Sequence, residues 1–209
     1  QDAVGTVIHG FKYNDGWFDI TDGMGFSLTV RDPLTADANA LDDKSFWRPS
    51  ARVGGSPGTD DSGQVPEPGS VVINELMANP SGGDPDWIEL HNTTNRPMVI
   101  GGWFLSDDAD NLMKYRIAAG TMLPAGGYIV LDQAHHFGNE DDPDCLEPFG
   151  LSRRGETLYL HSGAAGGLGG YSEQESFDAS GAGVSLGRWQ KSTGSYNFVA
   201  QSAATPGRA

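Results

Sequence analysis

The sequence predicts an all-β sandwich or barrel. Three observations carry this reading. Short β-branched and aromatic runs recur about every 8–15 residues, divided by turn chemistry. Glycine (30) and proline (12) make up one residue in five of the 209, which removes long helices, coiled coils and helical repeats. No window sustains a 3.6-residue apolar period, so a parallel βαβ sheet has no crossover helices to build it.

The runs follow in order through residues 71–209. Val71-Val72-Ile73 continues into Asn74-Glu75-Leu76 as the first strand region. In Trp87-Ile88-Glu89-Leu90, alternation puts Ile88 and Leu90 on a core face and Trp87 and Glu89 on the other. Met98-Val99-Ile100 leads through Gly101-Gly102 into Trp103-Phe104-Leu105, and the glycine pair suits a bulge or a close backbone approach. Tyr115-Arg116-Ile117 is a further short run. Leu123-Pro124-Ala125-Gly126-Gly127 is a turn, with Pro fixing φ and Gly accepting positive φ, and it delivers Tyr128-Ile129-Val130-Leu131. Thr157-Leu158-Tyr159-Leu160 precedes a Gly-rich hairpin tip over 163–170. Gly183-Val184-Ser185-Leu186 and Tyr196-Asn197-Phe198-Val199 close the set.

The front of the chain repeats the end of it. Phe18-Asp19 leads to Gly25-Phe26-Ser27-Leu28, as Phe177-Asp178 leads to Gly183-Val184-Ser185-Leu186. Trp47-Arg48-Pro49-Ser50 runs to Ser56-Pro57-Gly58, as Phe198-Val199-Ala200-Gln201 runs to Thr205-Pro206-Gly207. Residues 1–57 therefore read as the C-terminal half of a related copy. Residues 58–70 have the composition of a linker, and 71–209 form the main domain. Half a sandwich leaves an apolar face and strand edges open, so the front piece is expected to pack on the rest of the chain or to pair with a second copy in a homodimer. The chain opens on Gln1 with no charged-then-apolar leader, which reads as an excised or processed piece.

Charge excludes whole classes of function. Acidic residues outnumber basic ones 28 to 13, leaving −15, and the densest basic cluster is Arg153-Arg154. A phosphate backbone or an anionic membrane surface is repelled by that field, so nucleic-acid binding is not expected. No apolar stretch reaches the length of a membrane-spanning helix, so no membrane insertion is expected. Cys145 is the single cysteine, in an acidic loop, which precludes an internal disulfide and gives no zinc spacing.

Four motifs in sequence then carry a family resemblance. They are Val72-Ile73-Asn74-Glu75-Leu76; Asp86-Trp87-Ile88-Glu89-Leu90-His91-Asn92; Val99-Ile100-Gly101-Gly102-Trp103-Phe104-Leu105-Ser106-Asp107; and Gly120-Thr121 with Leu123-Pro124-Ala125-Gly126-Gly127-Tyr128-Ile129-Val130. In this order they resemble the lamin tail domain, in the form found in bacterial secreted and surface proteins. The resemblance covers 71–209 and implies an immunoglobulin-like β-sandwich that is usually non-catalytic. No heptads accompany it here, which sets the chain apart from filament proteins.

Candidate chemistry is thin. Gly183-Val184-Ser185-Leu186-Gly187 matches the pattern of a hydrolase nucleophile elbow, but poor helix formers follow it, so Ser185 reads as a strand serine. His9, His91, His135, His136 and His161 lack metal-site spacing. Three acidic loops carry more interest: Asp84 with Asp86; Asp107, Asp108 and Asp110; and Glu140, Asp141, Asp142 and Asp144. Asp107, Asp108 and Asp110 are the candidate metal ligands, with calcium the ion that loop carboxylates would hold. No other cofactor is implied. Glu75 and Glu89 can instead orient loops by accepting backbone N–H bonds. Exposed members of Trp17, Trp47, Trp87, Trp103 and Trp189 can stack on sugars. Asn92-Thr93-Thr94 has the spacing of a glycosylation sequon.

The sequence thus points to a non-catalytic structural or interaction module of an extracellular or cell-surface bacterial protein. Its role would be spacing, adhesion or docking, with a protein or an envelope or matrix component as partner. The alternative is a calcium- or carbohydrate-binding accessory module of a secreted hydrolase.

Overall fold

The computed structural model describes residues 4, 10–34 and 40–208. Among the described residues the regular structure is β, with single-turn 3-10 segments at Asp15–Trp17, Asp19–Thr21 and Lys44–Phe46. Among the described residues no helix is long and apolar enough to cross a membrane. The chain divides into two compact units. One comprises Gln1–Glu67 with Gly169–Ser172, the other Pro68–Leu168 with Glu173–Ala209.

The first unit holds one antiparallel hairpin, β1 (Leu28–Val30) with β2 (Trp47–Pro49). Leu28 and Val30 lie on one face and pack against a buried cluster of Phe18, Leu41 and Trp47. The Trp47 indole N–H donates to the Leu41 carbonyl at 2.8 Å. On the opposite face, Arg48 forms an ion pair with Asp61, and both side chains are almost fully buried. Asp61 also accepts the Ala51 N–H at 2.8 Å and the Ser56 hydroxyl at 2.9 Å. Asp61 falls in the stretch read as linker. That stretch has linker composition, yet one carboxylate in it satisfies three donors of the unit.

The second unit is a β-sandwich of two antiparallel sheets. Its strands are β3 (Val71–Met77), β4 (Trp87–Asn92), β5 (Met98–Val99), β6 (Phe104–Ser106), β7 (Tyr115–Arg116), β8 (Met122–Leu123), β9 (Tyr128–Asp132), β10 (Gly155–Ala164), β11 (Gly167–Asp178, less the Gly169–Ser172 stretch counted with the first unit), β12 (Leu186–Gln190) and β13 (Tyr196–Ala200). One sheet runs β13-β12-β3-β4-β9, the other β11-β10-β6-β7, and β5 and β8 form a small ribbon. Ile73, Leu76, Ile88, Leu90, Leu105, Leu158 and Leu160 are fully buried and make the core. Fully burying such side chains stabilises a fold by about 1.5–3 kcal/mol each before chain entropy is charged.

The predicted runs fall on strands with two exceptions. The 183–186 run begins as strand only at Leu186, and β11 was not among the predicted runs; the hairpin tip read over 163–170 narrows to Ala165-Gly166, because strand pairing continues on both sides of it. Gly101-Gly102 does make the close approach. Gly102 sits at φ +85°, and a Cβ on Gly101 would overlap the Gly120 backbone nitrogen. The Pro124 carbonyl accepts the Gly127 N–H at 2.9 Å with Gly126 at φ +61°, which closes the predicted turn before β9.

Candidate functional site

Two glutamates stand side by side in the larger sheet. A register shift between Ile73 and Glu75 brings Glu75 opposite Glu89 across β3 and β4. The residues are 2 % and 0 % exposed. Two facing buried carboxylates are costly unless donors surround them. The segment after β13 supplies the donors. The Thr205 N–H lies 3.1 and 3.2 Å from the two Glu75 oxygens, and the Thr205 hydroxyl donates to Glu75 at 2.7 Å. The Gly207 N–H donates to Glu89 at 2.5 Å, and the Asn74 amide donates to its other oxygen at 2.7 Å. Burial pushes the Glu89 carboxyl upward; the Asn74 and Gly207 bonds oppose this, and the Glu75 charge adds to it.

These bonds decide what the pair does. Both carboxylates accept N–H groups of the chain's own Thr205-Pro206-Gly207 segment, as the loop-orienting reading expects. A general acid or base has to reach a substrate proton, and these oxygens are taken up by backbone. The face carrying Glu89, which charge alone assigns to solvent, is buried because this segment covers it.

Beside the pair lies an open cleft of about 340 Å3, lined among others by Asn74, Tyr128, Arg188, Trp189 and Arg208. Trp189 is 62 % exposed and Tyr196 50 %. The Arg188 guanidinium lies 4.4 Å from the Tyr196 ring centre and bonds Glu173 at 3.2 Å, which fixes an aromatic and cationic strip along β12 and β13. Tyr128 stacks on His91 with ring centres 4.2 Å apart. His91 stands on β4, between β3 and β9, and not at a sheet edge. Burial, followed by the Arg188 charge, lowers its pKa, so the ring is kept neutral.

The acidic loops are tied down by the chain's own donors. Asp107 bonds the Lys114 ammonium at 2.8 Å, and Glu147 lies 3.5 Å from the same ammonium. Asp108 accepts the Asp110 N–H at 2.9 Å, and the Ser106 hydroxyl bonds the Asn111 carbonyl at 2.6 Å. Asp86 accepts the Leu151 N–H at 2.8 Å, and Asp144 pairs with Arg116 at 2.6 Å. Among the described residues no group of three or more His, Cys, Asp or Glu side chains is gathered to hold a metal.

The remaining candidates find structural places. Ser185 is buried and its hydroxyl bonds no base among the described residues. His135 bonds Asp132 at 2.8 Å, and the His136 ring accepts the Asp132 N–H at 3.1 Å. His161 is buried on β10, and His9 lies outside the described residues. Burial and the Asp142 and Glu140 charges push the Cys145 thiol up, away from a reactive thiolate. Asn92 of the sequon is fully buried and donates to the Arg96, Leu123 and Pro124 carbonyls, so it caps two loops.

The family model of the Lamin Tail Domain matches residues 64–168 of the chain. No curated protein matches it.

Proposed function

The chain belongs to the lamin tail domain family, matched over half its length, and from that premise we propose a non-catalytic docking module of a secreted or cell-surface bacterial protein. The family's immunoglobulin-like sandwich is generally a non-catalytic module. The front piece, 1–57, belongs to this proposal as the C-terminal half of a related copy. The observation that carries it is the use of the buried carboxylates. Glu75 and Glu89 spend their oxygens on Thr205 and Gly207, so the most charged buried site holds the fold. What faces solvent next to it is aromatic: Trp189 and Tyr196, with Arg188 between sheet and solvent. Large exposed aromatics beside a fixed cation suit contact with an envelope or matrix partner.

One observation favours a second reading, a carbohydrate-binding accessory module. Tyr128 and Trp189 border a cleft that also presents Asn74, Arg188 and Gln201, a combination of stacking surface and planar hydrogen-bonding groups.

The test is co-sedimentation of the full chain with isolated bacterial envelope, with soluble oligosaccharides as competitors. Retention is expected, and the Trp189→Ala, Tyr196→Ala double variant is expected to lose it while keeping its melting temperature. Competition by a sugar selects the second reading. Turnover of ester or glycoside substrates, or retention that ignores the double variant, overturns the proposal.

A further inference from the structure

The hairpins β1–β2 and β12–β13 share one register. Leu28 faces Pro49 and Val30 faces Trp47 in the first. Leu186 faces Ala200 and Arg188 faces Phe198 in the second. Aligning Gly25–Leu28 with Gly183–Leu186 sets Pro49 on Ala200 and Trp47 on Phe198, so every facing pair corresponds. The flanking bonds agree: the Ser50 N–H donates to the Ser27 carbonyl at 2.8 Å, and the Gln201 N–H to the Ser185 carbonyl at 2.9 Å. Each hairpin leads into a hydroxyl-Pro-Gly turn whose hydroxyl donates to a buried carboxylate. Ser56 donates to Asp61 at 2.9 Å, and Thr205 to Glu75 at 2.7 Å.

Two differences separate the hairpins. The first is the far edge. With Ser27, Thr29 and Arg31 bonded toward β2, the N–H and C=O groups of Leu28 and Val30 point the other way. On β12 the corresponding edge is taken by β3, with Leu186 opposite Leu76 and Gly187 opposite Glu75. Among the described residues β1 pairs with β2 alone. Burial follows the pairing: Ser185 and Gly187 are buried, whereas Ser27 is exposed and Thr29 half-buried. A groove of about 890 Å3 is lined by Thr29 and Val30 of β1 together with Gly58–Ser62.

The second difference is where the carboxylate comes from. In the second unit Glu75 arrives on the added strand, whereas in the first unit Asp61 supplies it from the same hairpin's own continuation. Arg48 and the Ala51 N–H complete its partners. A second acid brought in by an added strand would meet a filled site. The groove's arginines are also committed, Arg31 to Glu67 at 2.8 Å and Arg48 to Asp61, and the exposed Asp60 lines it.

We propose that the edge of β1 that no described strand pairs is a strand-acceptor site. It takes an extended segment of another polypeptide, antiparallel, with the apolar pattern of β3 and a basic residue where β3 carries Glu75. The apolar position opposite Leu28 covers the Phe18, Leu41 and Trp47 cluster. The basic position opposite Thr29 answers the Asp60 charge. Main-chain bonds supply affinity and these two positions supply selectivity.

The test uses the full chain and fluorescein-labelled peptides of residues 70–77 with polar flanks, read by anisotropy. The peptide carrying Glu75→Lys is expected to bind saturably, about tenfold tighter than the unchanged peptide, and more weakly as salt rises. N-methylation of the amides that would face β1 is expected to abolish binding, a control that leaves the protein untouched. On the protein side, Val30→Pro removes an edge N–H that the β2 ladder does not use, and is expected to abolish binding as well. Trp189→Ala is expected to leave it unchanged, which separates this site from the docking face above. Absence of saturable binding, equal binding of the lysine and glutamate peptides, or indifference to N-methylation overturns the proposal. So does a concentration-dependent dimer that the peptide cannot dissociate, because the occupant is then a second copy.

Discussion

Removing the Glu75 carboxylate is the perturbation that tests the site most directly. Glu75 receives two donors, the Thr205 N–H at 3.1 and 3.2 Å and the Thr205 hydroxyl at 2.7 Å. Hydrogen bonds to a charged group contribute about 1.5–3 kcal/mol each, so the gross loss in Glu75→Ala is about 3–6 kcal/mol. Two gains offset part of it. The variant no longer buries a charge, and it relieves the repulsion between facing Glu75 and Glu89, worth up to about 1 kcal/mol. A net destabilisation of about 2–4 kcal/mol is expected for alanine. Glu75→Gln keeps one acceptor oxygen and is expected to lose about half of that. Urea unfolding gives the magnitude, and hydrogen exchange at the Thr205 and Gly207 amides locates it. The second assay matters because two units need not unfold in one step. Faster exchange at Thr205 is expected in both variants, and Gly207 should follow because Pro206 links them. If Glu75→Ala stays within about 0.5 kcal/mol of the parent and the Thr205 amide keeps its protection, the carboxylate does not hold this segment and the reasoning fails.

Three further outcomes are expected. Asp61 is held at about 2, because Arg48, the Ala51 N–H and the Ser56 hydroxyl outweigh the upward push of burial. Its folded value lies below its ordinary 3.8, so its contribution is present above pH 4 and is lost as pH falls toward 2. At 1.36 kcal/mol per unit that contribution is about 2 kcal/mol, and Asp61→Asn should flatten the acid limb of a stability–pH curve; an unchanged limb refutes the assignment. Ala165 sits at φ 48° in the two-residue turn between β10 and β11, beside Gly166 at φ 85°. Ala165→Gly should raise the urea midpoint by the equivalent of about 1 kcal/mol, and a lower midpoint would show that the strain is not there. Calcium has to displace Lys114 from Asp107 to use the 107–110 turn. The melting temperature is therefore expected to hold within about 1 °C between EDTA and millimolar calcium, and to rise with calcium once Lys114→Met frees the carboxylate; a calcium-specific rise in the parent means the lysine yields and the turn is a calcium site.

Much of the sandwich was legible because burial and alternation are local signals. Ile88 and Leu90 were assigned to the core by spacing alone, and both are fully buried. Glu89, on the other face of the same strand, reads as an acceptor that orients a loop, but the loop it holds, at 205–207, lies more than a hundred residues away. No local pattern carries that information. Strand β11 was hidden for a different reason. Its Ser172-Glu173-Gln174-Glu175-Ser176 stretch has the polarity of a loop, and it is a strand because the tight turn at Ala165-Gly166 returns it alongside β10.

The acids divide in the same way, and the division has a physical cause. The clustered carboxylates drew attention as candidate ligands, and they end on the chain's own donors: Asp108 on the Asp110 N–H, Asp142 on the Asp144 N–H, Asp144 on Arg116 and Asp86 on the distant Leu151 N–H. Neighbouring like charges resist common burial, so clusters stay near solvent and are satisfied by turns or single cations. Asp61 is buried while its neighbour Asp60 stays exposed, and Glu75 and Glu89 are buried face to face because the 205–207 segment supplies their donors. Each can be buried with its own set of donors, and each can therefore fasten segments that local pattern leaves apart. In this chain the carboxylates that organise structure are the buried ones with a full set of donors, and they are the ones where substitution should be felt most.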